Sequence, residues 1–501
     1  MTASSKRASS TSPPAPAPSI LEEIFQHRRG QVAAAERQRP VRRLQRELRE
    51  NPPERRDFAA ALRQARPPAI IAELKRASPS CGRIRESFPV PELARAYAAA
   101  GAAALSVLTE EEHFDGRLDF LRQARAATSL PILRKDFIFS PYQIWESAWA
   151  GADAILLIAA MLDPPTLAQL TATAHRAGLA TLCEVHTRAE LDLALRAGAD
   201  CIGVNNRDLR SFQVDLGVGE RLGPLLPEDV LGISESGLHT PADLERMAAA
   251  GFSAFLMGEH FMRAADPGSA LAQLRAGCRI PLIKICGITN RADAFQACTA
   301  GADALGFVFA PSPRRASPAL VRSLAADLPA EVMRVGVFAG ASTTEILTLV
   351  NSCGLHAVQL HGPYLPADAR SLAPHVPVWR AVAMPSGAAA ALAFTPVVER
   401  FVLDHPAADG ISGGSGAAFD WDAACHFAAD LKASLSPAAP LPGVTIAGGL
   451  TPANVVSALR RSGADGADTA SGVECAPGRK DHAAVSAFCR AAQGVLRSDT
   501  A

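Results

Sequence analysis

Residues 150–158, AGADAILLI, decide the fold. An Ala-rich amphipathic segment leads into them, Gly151 interrupts its period, and five apolar residues follow without polar alternation. This pattern is a helix, its glycine C-cap and a strand buried on both faces. Strands covered on both faces belong to parallel sheet. The phrase recurs as AGAAALSVL around Gly101, AGADCIGV around Gly198, AGFSAFLMG around Gly251 and AGADALGFVF around Gly301, about 50 residues apart each time.

Between these phrases, further buried strands are expected. The first set of eight falls near 69–74, 103–108, 131–135, 154–159, 179–184, 201–205, 230–234 and 254–257. The count restarts at PLIKICG, with strands near 281–285, 304–309, 332–337, 356–360, 377–382, 400–404, 443–447 and 465–469. Two runs of eight strand–helix units predict an α/β protein of two tandem (β/α)8 TIM barrels. Residues 1–19, rich in Ser, Pro and Ala, read as a disordered tail. The first barrel spans 20–276, with extra N-terminal helices over 20–66 that cap or flank it, and the second spans 281–498. A doubly wound open sheet is the alternative, but no G-x-G-x-x-G follows a first strand in either half.

Composition narrows the function. The 501 residues carry 50 Lys plus Arg against 50 Asp plus Glu, so the chain has no electrostatic footprint for nucleic acid or a membrane surface. The longest apolar runs, such as AILLIAAML, fall well short of the roughly 20 residues of a membrane span. The N-terminus lacks the apolar core of a secretory signal. Ten cysteines without close pairing suit a reduced, cytoplasmic protein and offer no metal-ligand spacing. A monomer is expected.

In a barrel of this kind, function sits at the C-terminal strand ends. In the first half those ends place Glu73 and Lys75 two residues apart, then Lys135, Glu184, Asn205 with Arg207, Glu235 with Ser236 and Gly237, and Gly258. A structural ion pair is the plain alternative for Glu73 and Lys75. Lys and Glu converging on one enclosed mouth shift each other's pKa values, which suits acid–base chemistry. Glycine turns after the seventh and eighth strands suit a phosphate. In the second half the ends place Lys284 and Cys286, Arg314 with Arg315, Gln359 with His361, and Asp404. Glycine turns follow at 447–450 and 471–474. A thiolate and a carboxylic acid across one mouth can move a proton between two carbons. The thiol then needs a pKa below its free value, and Lys284 is placed to lower it. The Gly-rich loop 410–421 either cradles an anion or moves.

The motifs IAELKRASPSCG (71–82), LSVLTEEEHFDG (105–116), PILRKDFIFSPYQI (131–144), EVHTRAEL (184–191), IGVNNRDL (202–209) and ISESGL (233–238) resemble indole-3-glycerol-phosphate synthase. The resemblance implies closure of 1-(2-carboxyphenylamino)-1-deoxyribulose 5-phosphate to indole-3-glycerol phosphate with loss of CO2 and water. It implies Lys135 as the general acid of closure, Glu184 as an acid–base residue of the later steps, and Lys75 as a carboxylate contact and proton donor in dehydration assisted by Glu73 and Asn205; the motifs leave open how dehydration divides among Lys75, Glu73 and Glu184. Ser78, Arg207, Glu235 and Ser236 bind or orient, Gly237 and Gly258 hold phosphate, and Phe114 and Phe137 wall the anthranilate ring.

KICGIT (284–289), GFVFAPSPR (306–314), VGVF (335–338), VQLHG (358–362), LDHP (403–406), GGSGAAFDW (413–421), AGGLTPANV (447–455) and SGVECAPGRKD (471–481) resemble phosphoribosylanthranilate isomerase. This implies an Amadori rearrangement with Cys286 as general base, Asp404 as general acid and Arg314 on the anthranilate carboxylate. His361 and Asp468 become substrate contacts, and Gly448, Gly449, Ser471 and Gly472 become phosphate contacts. Arg315 is a solvated neighbour. The segment before S-P-R lacks the Lys often found there, and Ala470 stands where many relatives have a hydroxyl.

The product of the second reaction is the substrate of the first, so both activities are expected, without cofactor or metal, on small phosphorylated anthranilate sugars. Separate, independent sites are expected. A non-catalytic phosphate-binding or regulatory double barrel is the alternative; another pair of phosphate-sugar isomerases would be expected to show paired aspartates. Both mouths are expected to be locally cationic, through Lys75, Lys135 and Arg207 in one and Lys284 and Arg314 in the other.

Overall fold

The computed structural model describes residues 20–385, 388–405, 420–435 and 440–498. The expected tail at 1–19 and most of the loop at 410–421 lie outside the described residues. Contacts divide the chain into two compact units, one comprising most of the chain up to Leu274 and the other mainly Arg275 onward. No helix among the described residues is long and apolar enough to cross a membrane.

The first unit is a closed parallel barrel of eight strands. They are β1 (Ala69–Leu74), β2 (Ala104–Leu108), β3 (Ile132–Lys135), β4 (Ala154–Ile158), β5 (Ala180–Val185), β6 (Cys201–Asn205), β7 (Leu231–Glu235) and β8 (Ala254–Met257). The second unit is another closed parallel barrel. Its strands are β9 (Leu282–Cys286), β10 (Ala304–Val308), β11 (Met333–Ala339), β12 (Ala357–His361), β13 (Val378–Ala383), β14 (Arg400–Asp404), β15 (Gly443–Ile446) and β16 (Gly466–Thr469). The expected strands are all present to within a residue or two.

The repeated phrase is the joint that makes this possible. Its five glycines adopt φ between +72° and +108°, a region closed to most side chains. Gly151, for example, ends the preceding helix, its N–H donating to the carbonyls of Ser147 and Ala148. The apolar residues that follow are buried without exception in β4.

The extra N-terminal helices are α1 (Ile20–Gln38), α2 (Val41–Glu50) and α3 (Phe58–Gln64). Some cap and some flank. Phe58 and Leu62 of α3 bury among Ala69, Ala104, Cys201, Leu231 and Ala254, the first residues of five strands, and so plug the N-terminal end of the barrel. Val32 of α1 and Leu44 of α2 pack with Tyr142 against α4 (Pro141–Ala150). Buried Arg28 of α1 donates to both carboxylate oxygens of Asp136, at 3.0 and 2.5 Å. Asp136 also receives Thr109 Oγ1 at 2.5 Å and Arg134 at 2.8 Å, so it is a structural carboxylate held below its ordinary range despite burial. These bonds fix the chain immediately after Lys135.

Candidate active sites

Parallel strands bring all eight C-terminal ends of each barrel to one rim. In the first barrel that rim encloses a pocket lined by every residue singled out there. Glu73, Lys75, Ser78, Phe114, Lys135, Phe137, Glu184, Asn205, Arg207, Glu235, Ser236, Gly237 and Gly258 all face it. The Phe114 and Phe137 rings lie 6.2 Å apart at 45°. Phe137 is positioned by α4: Ser140 and Gln143 form its capping box, and the Gln143 amide donates to the Phe137 carbonyl at 2.7 Å.

Lys135, the last residue of β3, reaches Glu184 at 3.1 Å and Glu235 at 2.5 Å. Burial alone would depress its ammonium, but Glu235, Glu184 and Glu73 outweigh that and hold it well above its ordinary value. The two carboxylates respond differently. Burial raises both, but Lys135 and His186 hold Glu184 below the usual range, whereas Glu235 rises to about 7 under burial and the nearby Glu184 charge. Lys75 pairs with Glu73 at 2.7 Å. Gly258 has a packing duty beside any phosphate role, since a Cβ there would stand 2.5 Å from Glu73 Oε2. Glu235 likewise occupies the space that a Cβ on Gly203 would need.

The second rim encloses a pocket lined by Cys286, Arg314, His361, Asp404, Gly448, Gly449, Asp468, Ser471 and Gly472. Cys286, His361 and Asp404 are the last residues of β9, β12 and β14. Gly306 on neighbouring β10 leaves room for Cys286, because a Cβ there would come 2.6 Å from its Sγ. Burial lifts Asp404 to about 6, against the pull of the His405 backbone N–H and with help from the Asp468 charge. His361 is pushed down to about 3 by burial, Lys284 and Arg380, so it is a neutral imidazole; it stands 2.7 Å from the Gln359 amide nitrogen.

Two expectations are corrected. Cys286 is not brought below its ordinary value. Burial raises it, Lys284 pulls it down, Asp468 pushes it up again, and the balance is upward. Lys284 itself is fully buried and pairs with Asp468 at 2.6 Å. The mouths are not locally cationic either, because each expected cation has a carboxylate. Lys75 has Glu73, Lys135 has Glu184 and Glu235, Arg207 has Glu259 at 3.4 Å, Lys284 has Asp468, and Arg314 has Glu474.

The last pair was not expected from sequence. Glu474 grips the Arg314 guanidinium through both oxygens, at 2.9 and 3.1 Å to Nε and 2.9 Å to the terminal nitrogen. Buried Lys480, on a hairpin joining 474–476 to 479–480, adds a bond to Glu474 at 2.9 Å. Both residues lie inside SGVECAPGRKD, but nothing in the motif reveals which arginine they serve.

Comparisons with known proteins match the two halves of the chain in turn. The family model "Indole-3-glycerol phosphate synthase" matches residues 21–274, and "N-(5'phosphoribosyl)anthranilate (PRA) isomerase" matches 283–491. An indole-3-glycerol phosphate synthase of Burkholderia vietnamiensis is 48% identical over 258 residues, covering 51% of this chain and 98% of its own. That of Albidiferax ferrireducens is 49% identical over 260 residues, with the same coverage. Among solved structures, phosphoribosyl anthranilate isomerase from Thermotoga maritima is 35% identical, covers 43% of this chain and 100% of its own, and has a TM-score of 0.39. The chain therefore belongs to the indole-3-glycerol phosphate synthase family and carries, in tandem with that domain, a phosphoribosylanthranilate isomerase domain, which makes it a bifunctional enzyme of tryptophan biosynthesis.

Proposed function

We propose that Lys135, Glu184 and Lys75 carry ring closure in the first barrel, and that Cys286 and Asp404 carry the isomerisation in the second. The single observation behind the first assignment is Lys135 held between Glu184 and Glu235 at the floor of the pocket. A cation so placed donates a proton to the substrate ketone as the aromatic carbon attacks it. Decarboxylation restores the ring. Lys75, beside Glu73, protonates the departing hydroxyl, and Glu184, ionised, removes the carbon-bound proton that completes the indole. Asn205 orients Glu184 through a side-chain hydrogen bond. Ser78, Arg207, Ser236, Gly237 and Gly258 bind the anionic ends, Phe114 and Phe137 the ring.

In the second barrel Asp404, raised to about 6, protonates the ribose ring oxygen and opens the furanose. Cys286 takes the C2 proton of the resulting iminium, giving the enolamine that becomes the aminoketose. Arg314 meets the anthranilate carboxylate from the position Glu474 gives it. His361 and Asp468 contact the sugar, and the turns at Gly448–Gly449 and Ser471–Gly472 take the phosphate. The domain limits 20–276 and 281–498, an independent site in each barrel, and a cytoplasmic monomer belong to the same reading. Purified protein supplied with N-(5-phosphoribosyl)anthranilate should form indole-3-glycerol phosphate, followed by indole fluorescence. Protein that turns over neither substrate would sink the proposal. Sedimentation of a single 52.4 kDa species checks the monomer.

A further inference from the structure

Arg314, Ala470, Ser471 and Gly472 line the pocket of the second barrel, whereas Lys480 does not. The Lys480 side chain is fully buried behind that wall. Its ammonium donates to two acceptors, the Ala470 carbonyl and Glu474 Oε1, each at 2.9 Å. The first acceptor belongs to the turn on the pocket wall, and the second belongs to the carboxylate that grips Arg314. The backbone carrying this ammonium is itself fixed. The Lys480 N–H donates to buried Asp293 at 2.9 Å, and the Asp481 N–H donates to the Val473 carbonyl at 2.9 Å. The turn has little freedom on its other side, since a Cβ on Gly472 would overlap the Leu450 carbonyl.

The bond to Ala470 has a directional consequence. The Ala470–Ser471 peptide is trans and planar, so its carbonyl and its N–H point to opposite sides. An ammonium that holds the carbonyl from behind the wall turns the Ser471 N–H toward the pocket. Ala470 has no side-chain group that could do the same. The bond to Glu474 acts on the other end of the site. Glu474 Oε1 takes Lys480 and Arg314 Nε, while Oε2 takes Arg314 Nε and its terminal nitrogen.

We propose that Lys480 is a positioning residue for isomerisation, a single ammonium that aims the Ser471 N–H at the substrate phosphate and fixes that turn against the anchor of Arg314. The proposal rests on the contacts given above to the Ser471–Gly472 turn and to Arg314. Inorganic phosphate, as a competitive inhibitor of isomerisation by the full chain, is the probe. Lys480→Met should weaken phosphate inhibition by roughly tenfold or more, the scale of losing a hydrogen bond to a charged group. Glu474→Gln should leave it within about twofold, because the amide oxygen can keep Lys480 while the amide nitrogen faces Arg314 and loosens only that end. The turnover rate is not the readout, since the Lys480 charge also pulls the Cys286 thiol down. Ring closure in the first barrel should stay unchanged in both variants. Lys480→Gln is the substitute should the Met variant not fold. Undiminished phosphate inhibition in the Lys480 variant, or equal weakening in both variants, would overturn the proposal. So would opposite shifts of equal size, which would mean that charge alone acts on the phosphate. Failure of phosphate to compete with substrate in the unaltered protein would instead overturn the phosphate assignment beneath it.

Discussion

The two barrels share a strand plan and solve the same problem by opposite means. On the proposed roles, each needs an acid and a base at one mouth. The first keeps charges in the mouth and sets them with one another. Two carboxylates hold Lys135 above its ordinary value despite burial, and they part from each other, Glu184 held down by Lys135 and His186 and Glu235 raised by burial and the Glu184 charge. The second sinks its cation below the mouth, where Lys284 is fully buried on Asp468 and absent from the pocket wall. Two groups on the pocket wall, the Cys286 thiol and the Asp404 carboxyl, are both raised by burial. The lesson is that the fold supplies a ring of strand ends, while a few residues there decide whether charge pairing or desolvation does the tuning.

If the second mouth depends only on its own strand ends, Cys286→Ala and Asp404→Asn should each lower isomerisation by roughly 10²–10⁴-fold. Ring closure, assayed with the aminoketose, should stay unchanged. Loss of both activities from either substitution would end the picture of two independent sites.

A different weakness is expected of the first barrel, whose mouth is braced from its N-terminal helix. Asp136→Ala removes the partner of buried Arg28 and Arg134, and should destabilise that barrel by about 3–5 kcal/mol. Denaturant unfolding should show an early transition with loss of ring closure first.

Arg314 offers a gentler probe. Glu474→Gln loosens its guanidinium and should raise the KM of isomerisation roughly tenfold with a smaller change in kcat, in line with losing a charge-assisted hydrogen bond. An unchanged KM would show that Arg314 needs no such support.

The pH profiles should differ in shape as well. On the proposed roles, isomerisation needs Asp404 protonated and Cys286 ionised. Below about 6 Asp404 keeps its proton, so kcat/KM rises with the thiolate fraction. Above that value the loss of Asp404 protons and the gain in thiolate cancel, and the profile is level. It falls only past the raised thiol value. An acid limb far from 6 would contradict the desolvation account. The smallest effect is expected of exposed Arg315, whose replacement by Ala should leave stability within about 0.5 kcal/mol and isomerisation unaltered.

Much of this was legible along the chain because it is written in local periods. The helix–glycine–strand phrase marks the repeat, and each strand end names the residue it presents, so Lys135, Glu184, Cys286 and Asp404 are legible in the sequence itself. What stayed hidden depends on distance. Arg28 meets Asp136 across 108 residues and Arg314 meets Glu474 across 160, and neither spacing carries a period. The direction of the Cys286 shift failed for a related reason. Lys284 two residues away suggested a lowered thiol, but the depth of burial that outweighs it is set by strands far away in sequence.

The central claim is that each mouth carries one reaction by its own groups. Lys135→Ala in the full chain, supplied with N-(5-phosphoribosyl)anthranilate, tests it most directly. The account predicts that 1-(2-carboxyphenylamino)-1-deoxyribulose 5-phosphate accumulates at the wild-type rate while no indole-3-glycerol phosphate fluorescence develops. Indole-3-glycerol phosphate formed at an undiminished rate, or failure to accumulate the aminoketose at all, would contradict it.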